Sequence, residues 1–217
     1  MKVICFGDSN TYGYCNEGDS ADPGERFNEE ERWTRLLQKK LGDDYLVIEE
    51  GLNGRTTCFE DPLREGLKGL DYISPCLRSH APIDKLIIML GTNDIALYGV
   101  DGTMERWEIF IDRIVEKNPD IQIYIQSCTP VHLASEYNKL NNDIIDEYNV
   151  QLELFCQENG YHFVNIAPYF KDFRNSLVGE YCSDARMHIT YDGALIWEYA
   201  LKAYGEEQLR NMEGEDQ

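Results

Sequence analysis

The chain has 217 residues, enough for one domain of ordinary size that needs neither a disulfide nor a metal ion to stabilise its core. Its formal net charge of −20 argues against nucleic acid or an anionic membrane surface as a partner, since both would be repelled, and it also disfavours highly anionic substrates. No apolar run approaches the ~20 residues of a membrane span, so a membrane protein is excluded.

The cysteines and the first residues bear on the cellular compartment. The seven cysteines are scattered and include no C-x-x-C pair, which favours reduced thiols in the core over a disulfide framework or a zinc site. The apolar stretch 2–6 is too short for a signal peptide and lacks a cleavage pattern. We therefore expect a cytoplasmic protein without metal or organic cofactor. The oligomeric state is left open, a homo-oligomer included.

Strands and helices are predicted to alternate along the whole chain. Five short apolar runs, rich in Ile and Val and mostly not alternating with polar residues, predict strands that are buried on both faces of a parallel sheet. These runs are 2–6, 45–49, 84–90, 121–126 and 162–166. Helices are predicted from an Asn28 cap to Gly42, from Ser74-Pro75 towards His80, around 104–114 and 140–155, and after Thr190.

This alternation predicts one domain over 1–217, with a three-layer α/β/α architecture, a central parallel sheet of about five strands and a flexible tail of about eight residues. Ligands of such folds bind beyond the carboxyl ends of the strands. The segments predicted there are 7–13, 51–60, 91–99, 127–135 and 167–190. His80 and His162 fall at the opposite end and are expected to be surface or packing residues, which leaves His132 and His188 as candidates.

Two of these loops carry polar residues suited to acyl chemistry, and a third, 51–60, carries Gly51 and Gly54, which suit a close backbone approach to a ligand or only a tight turn. Ser9 follows the first strand, where its hydroxyl would be exposed at the sheet edge as a nucleophile. The alternative is an ordinary turn, in which Gly7 supplies backbone freedom and Asp8 and Ser9 bond local amides. Asn93 follows the third strand and could aim its side-chain amide at an oxyanion, or it could cap the next helix.

Together, these loops and His188 resemble the SGNH (GDSL-type) hydrolases, esterases and acyltransferases named for a Ser, a Gly, an Asn and a His in four blocks. The arylesterase-like branch is the most similar, and the motif agreement covers roughly the first hundred residues. The residues that carry it are Glu25-Arg26-Phe27, Arg32-Trp33-Thr34, Val47 to Leu52, Arg55-Thr56-Thr57, Asp61-Pro62 and Ile87 to Asp94.

The resemblance implies a flavodoxin-like fold and a serine esterase or acyltransferase that acts on a small-molecule ester with a short acyl chain, often an acetyl ester of a carbohydrate or small alcohol. Ser9 would be the nucleophile and His188 the general base. The oxyanion hole would consist of the backbone N–H groups of Ser9 and Gly54 and the side-chain amide of Asn93. The chain has no G-x-S-x-G motif, which disfavours an ordinary α/β-hydrolase.

The histidine block departs from the family pattern. Family members usually carry D-x-x-H, but Ala185 stands in the aspartate's place and Asp184 is one residue further away. Three interpretations remain open. In the first, the loop is longer by one residue and Asp184 still reaches His188. In the second, a backbone carbonyl or a water molecule orients the imidazole, and the enzyme works as a Ser-His dyad. In the third, Asp184 only pairs with Arg186 or caps a turn, and the protein is a weak or inactive relative.

Two other classes of protein compete with the hydrolase. A non-catalytic binding domain would keep the fold and lose turnover, and the Ala185 departure is its only support. A phosphate or nucleotide binder would use 7–13 as an anion loop, but the loop has no P-loop lysine and the net charge opposes an anionic ligand.

Overall fold

A computed structural model of the protein describes residues 1–15, 25–132, 140–184 and 186–215. Its five strands form one parallel sheet in the order β2-β1-β3-β4-β5. The strands are β1 (Lys2–Gly7), β2 (Leu46–Gly51), β3 (Lys85–Met89), β4 (Gln122–Gln126) and β5 (His162–Val164). Each predicted apolar run therefore forms a strand.

The described residues form six α-helices, of which all but the first cover the two faces of the sheet. They are α1 (Ser9–Tyr12), α2 (Trp33–Leu41), α3 (Gly69–His80), α4 (Thr92–Val115), α5 (Asn142–Asn159) and α6 (Tyr191–Glu215). The core side chains of α2 and α6 cluster on one face, and those of α3, α4 and α5 cluster on the other. This arrangement confirms the predicted three-layer α/β/α fold.

Alternation along β1 divides the core between the two faces. Ile4 and Phe6 point into the cluster formed with α3, α4 and α5, while Val3 and Cys5 point into the cluster formed with α2 and α6. All four are at most 1% exposed, and each fully buried side chain of this size contributes roughly 1.5–3 kcal/mol. β1, an interior strand of the sheet, is thereby anchored on both faces, and so is the start of the loop that follows it.

The helix predicted after Asn28 is divided in two. Residues Glu29–Glu31 form a separate 3-10 turn, and α2 begins only at Trp33. Arg32, between them, is extended (φ −85°, ψ 138°), and its guanidinium makes two 2.8 Å hydrogen bonds with the carboxylate of Glu49. A buried, bidentate ion pair to β2 thus accompanies the break in the helix.

The predicted start of α3 was also wrong. Ser74-Pro75 does not open this helix, which begins at Gly69 and has Pro75 in its interior. An interior proline costs ~3 kcal/mol, because one backbone hydrogen bond is lost. Burial of Ile73 and Leu77, each at most 1% exposed, offsets that cost. Similarly, 91–99 is not a loop, because α4 begins at Thr92.

Two composition-based expectations can be compared with the structure. All seven cysteines are free thiols and five of them are buried, as predicted for core residues. No helix in the described part of the chain is long and apolar enough to cross a bilayer.

Candidate active site

The candidate site lies at the point where the chain reverses its direction across the sheet. After β1 the next strand, β2, is added on one side, and β3 is added on the other. Gly7 pairs with Gly51 on one side and Met89 on the other, so the loops after β1, β2 and β3 begin at the same level. Crevices at such a switch point are where ligands bind in open α/β sheets.

A chain of three polar side chains crosses this edge. Ser9 Oγ lies 3.0 Å from His188 Nε2, and His188 Nδ1 lies 2.5 Å from Asp184 Oδ2. The side chains of His188 and Asp184 are 18% and 5% exposed, so both groups are largely shielded from water. The structure therefore brings together residues that are 179 positions apart, in the order hydroxyl, imidazole and carboxylate.

Asp184 reaches His188 because its loop folds back on itself. Asp184 Oδ1 accepts the backbone N–H groups of Arg186, Met187 and His188 at 2.9, 2.9 and 3.2 Å. The loop is closed by the N–H of Ser183, which donates to the His188 carbonyl at 2.8 Å. Of the three interpretations, this geometry corresponds to the first; Ala185 itself lies outside the described residues.

The surroundings of Asp184 favour its ionised form. Burial alone would raise its pKa, but the hydrogen bond to His188, the charge of that imidazole and the loop N–H groups together lower the pKa well below its usual value. A carboxylate that stays negative at neutral pH can accept the Nδ1–H of His188, which leaves Nε2 free to accept a proton from Ser9.

Asn10 connects the serine loop to the histidine loop. Its side-chain amide donates to the Met187 carbonyl at 3.1 Å, and its side-chain oxygen accepts the N–H of Ile189 at 3.1 Å. These bonds bracket His188 from a residue adjacent to Ser9. These contacts with the histidine loop were not predicted for Asn10, although its position next to Ser9 was the signal available.

The three loops at the switch point are also joined to one another. The Gly7 carbonyl accepts the N–H of Leu52 and the guanidinium of Arg55, each at 3.1 Å. Asn93 in turn donates its side-chain amide to the Arg55 carbonyl at 3.0 Å. Gly54 has φ +78°, a conformation that favours glycine, and shapes the turn between Leu52 and Arg55.

The two backbone N–H groups proposed for an oxyanion hole donate no hydrogen bond to another described residue. Among the residues that the structure describes, neither the N–H of Ser9 nor that of Gly54 has a hydrogen-bond acceptor. Both are backbone donors near the sheet edge, and Gly54 is buried. Together with the amide of Asn93, which the Arg55 carbonyl orients, they are of the type that stabilises a developing negative charge on oxygen.

Two buried carboxyl groups lie beneath the loops. Asp8 caps α1 by accepting the N–H of Asn10 at 3.1 Å, and Asp94 accepts the N–H and hydroxyl of Thr57 at 2.8 and 2.7 Å. Burial raises the pKa of each to about 6, although these hydrogen bonds oppose the shift. Their main visible contribution is to hold the ends of the loops.

Aromatic side chains surround part of the site. The ring of Tyr14 lies 4.4 Å from that of His188, centroid to centroid, and the rings of Phe59 and Tyr98 stack at 3.8 Å. The first contact limits the freedom of the imidazole. Of the segment 127–135, which was predicted to lie at this end of the sheet, residues 133–135 are outside the described residues.

The other three histidines are away from this chain of contacts. His132 donates its backbone N–H to the Arg186 carbonyl at 2.6 Å, so it supports the histidine loop through its main chain. His162 stacks on Tyr124 at 4.4 Å, as expected of a packing residue. His80 lies 2.8 Å from a carboxylate oxygen of Glu50.

Comparisons with known proteins identify the family of this chain. The model of the GDSL-like lipase/acylhydrolase family matches residues 5–196. Among solved structures, the native aryl esterase of M. smegmatis is 27% identical with a TM-score of 0.79, and the match covers 97% of this chain and 99% of that one. No curated protein gave a match.

Two further solved structures share the fold at lower identity. A carbohydrate acetylesterase from Sinorhizobium meliloti is 23% identical with a TM-score of 0.80, covering 96% of this chain and 99% of that one. A putative arylesterase from Agrobacterium tumefaciens is 24% identical with a TM-score of 0.74, covering 95% and 99%.

Proposed function

The chain belongs to the GDSL-like lipase/acylhydrolase family and is a carboxylic ester hydrolase, and from that premise we propose that it cleaves short-chain esters through an acyl-Ser9 intermediate. The contact of Ser9 Oγ with His188 Nε2 at 3.0 Å, backed by Asp184, carries this proposal. It unites the three groups that an acyl-transfer mechanism needs in one hydrogen-bonded line.

In the proposed first half-reaction, Ser9 Oγ attacks the ester carbonyl while its proton moves to His188 Nε2. The carbonyl oxygen becomes an oxyanion, which the N–H groups of Ser9 and Gly54 and the amide of Asn93 stabilise. Each such donor is worth on the order of 10²–10³ in rate. The imidazolium, paired with Asp184, then protonates the departing alcohol, and the acyl group remains on Ser9.

In the second half-reaction, water or another alcohol attacks the acyl-enzyme and transfers its proton to His188, and Ser9 regains its hydroxyl. Attack by water is hydrolysis and attack by an alcohol is acyl transfer; both need the same three side chains. The similar aryl esterase and carbohydrate acetylesterase support aryl and acetyl esters as the first substrates to test.

The experiment is release of p-nitrophenol from acetyl, butyryl and octanoyl esters by the purified protein. We expect Ser9→Ala and His188→Ala to lose nearly all turnover, on the order of 10³-fold or more. The variants Ser79→Ala and His162→Gln, which change the same residue types away from the site, are expected to retain it.

Mass spectrometry after treatment with a fluorophosphonate probe provides a second measurement. Labelling is expected at Ser9 in the wild type and is expected to be lost in Ser9→Ala. If the wild type is no faster than Ser9→Ala on every ester and takes up no probe, the proposed mechanism is wrong, and a non-catalytic binding domain becomes the better description.

A further inference from the structure

Three side chains of types that bind metal ions meet beside the edge strand β2, on the side covered by α3. Glu50 comes from β2, whereas Cys76 and His80 come from the second half of α3. One carboxylate oxygen, the thiol sulfur and one imidazole nitrogen all lie within 4.8 Å of one another. No metal site was expected from the sequence, because no cluster in it has metal-ligand spacing; Glu50 is far along the chain from the other two residues.

The helix provides two of the three groups in a suitable arrangement. Cys76 and His80 are four residues apart, so they lie on one face of α3, one turn from each other. Helical side chains lean towards the helix N-terminus, which directs His80 back towards Cys76. Tyr72 stands one turn earlier on the same face, and its hydroxyl donates to the second carboxylate oxygen of Glu50 at 3.2 Å.

We propose that Glu50, Cys76 and His80 form a binding site for one divalent transition-metal ion of the zinc type. Thiolate and imidazole are ligands that favour zinc, cobalt and cadmium over magnesium or calcium. Three protein ligands leave a fourth tetrahedral position for water or a small anion. Tyr72 would orient the carboxylate of Glu50 from outside the coordination sphere.

The three ligand atoms would need to move only slightly to surround a metal ion. Ligand atoms around one tetrahedral zinc ion lie roughly 3.3–3.8 Å apart, given metal–ligand bonds of about 2.0–2.3 Å. Here, His80 Nε2 and Glu50 Oε1 are 2.8 Å apart and share a hydrogen bond. Binding would replace that bond: the proton that Nε2 donates to Glu50 would exchange through solvent to Nδ1, so that Nε2 presents its lone pair to the metal ion.

The proton balance and the charges at Glu50, Cys76 and His80 are also compatible with binding of a divalent metal ion. Burial, and then the charge of Glu50, raise the pKa of Cys76 to about 12, so without metal the thiol holds its proton. On binding, the sulfur–metal bond replaces the S–H bond and the proton is released to solvent. Thiolate and carboxylate neutralise the divalent ion, which offsets the repulsion from the nearby guanidinium of Arg55.

The site combines a buried ligand with an accessible one. Cys76 is 1% exposed, whereas the side chains of Glu50 and His80 are 16% and 30% exposed. A metal ion can therefore approach from the solvent side of the edge strand past His80. The site is separate from Ser9 and His188, so its existence does not depend on the esterase proposal.

The test is titration of the chelator-treated full-length protein with Co²⁺, followed by visible and near-ultraviolet absorption and by competition with Zn²⁺. We expect about one equivalent of Co²⁺ to bind, with tetrahedral d–d bands and a thiolate-to-cobalt charge-transfer band. Cys76→Ser should lose the charge-transfer band, and His80→Gln and Glu50→Gln should weaken binding roughly 10-fold or more.

Matched controls are Cys156→Ser, another buried thiol, and His162→Gln, both of which should bind as the wild type does. Circular dichroism checks that each variant is folded. If Cys76→Ser does not fold, His80→Gln still tests the proposal, because His80 is partly exposed and its replacement disturbs the core less. The proposal is overturned if cobalt shows no thiolate band, or if His80→Gln and Glu50→Gln bind as tightly as the controls.

Discussion

Asp184 uses its two carboxylate oxygens for different purposes. One holds three backbone N–H groups of its own loop, and the other contacts Nδ1 of His188. The first set of bonds orders the loop, and the second sets the tautomer and orientation of the imidazole. One extra residue between aspartate and histidine is thus compatible with a direct contact.

Replacing Asp184 with asparagine separates these two purposes. Asparagine can still accept the loop N–H groups, but its NH₂ cannot accept the Nδ1–H of His188, so the wrong tautomer is favoured. We expect kcat/KM on p-nitrophenyl acetate to fall on the order of 10²–10⁴-fold, with little change in folding.

The control for that variant is Asp172→Asn. Asp172 also accepts N–H groups of its own loop, from Arg174 and Ser176, but it has no histidine partner among the residues that the structure describes. Wild-type kcat/KM is expected for this control. If Asp184→Asn also kept the wild-type value, a Ser-His dyad would describe the enzyme better than a triad.

At the scale of secondary-structure elements, two glycines of α4 allow the energetic effect of backbone conformation to be distinguished from that of side-chain packing. Gly99 interrupts the helix with φ +71° and ψ 177°, while Gly102, one turn later, has no such conformation. A Cβ at Gly99 would meet nothing within 4 Å, so any penalty there comes from the backbone alone.

We therefore expect two alanine substitutions in this helix to act in opposite directions. Gly99→Ala should lower the free energy of unfolding by about 1–3 kcal/mol, because that conformation is essentially restricted to glycine. Gly102→Ala should raise it by roughly 0.5–1 kcal/mol, because its Cβ makes only an ordinary 3.6 Å contact with Tyr98. Urea unfolding of both variants is the measurement, and equal shifts of the same sign would contradict this account.

At the scale of the whole molecule, the charge of −20 is distributed unevenly between surface and interior. Most carboxylates are solvated, but Asp8 and Asp94 are at most 2% exposed and act on each other as like charges. A carboxyl group whose pKa is raised in the folded state stabilises the fold while it is protonated. That contribution is lost as the pH rises through the folded-state value.

For Asp94 this loss of stability falls in the pH range between its ordinary pKa of 3.8 and its raised pKa of about 6 in the folded protein. Asp94→Asn cannot ionise, so its stability relative to the wild type should improve between pH ~4 and ~7, by up to ~3 kcal/mol at ~1.4 kcal/mol per pKa unit. Urea unfolding at several pH values measures this difference. The exposed Asp101→Asn is the control, and a difference that stays constant with pH for Asp94→Asn would contradict the prediction.

Sequence-based prediction was most successful for the buried elements and least successful for their boundaries. The Ile- and Val-rich runs predicted all five strands, since a run without alternation is what a strand covered on both faces requires. Asn28 does cap the turn Glu29–Glu31 as predicted, but the helix is broken at Arg32, which contacts Glu49. The start predicted at Ser74-Pro75 was wrong, because α3 begins at Gly69 and core packing outweighed the proline signal.

By itself the sequence determined the α/β/α architecture and the family, because both depend on periodic burial and on short motifs that are legible in a linear chain. Only the tertiary structure decided which side chains meet. The contact of Asp184 with His188 depends on how one loop folds, and the meeting of Glu50 with Cys76 and His80 depends on packing α3 against β2. Such contacts follow from long-range packing, which no local pattern encodes.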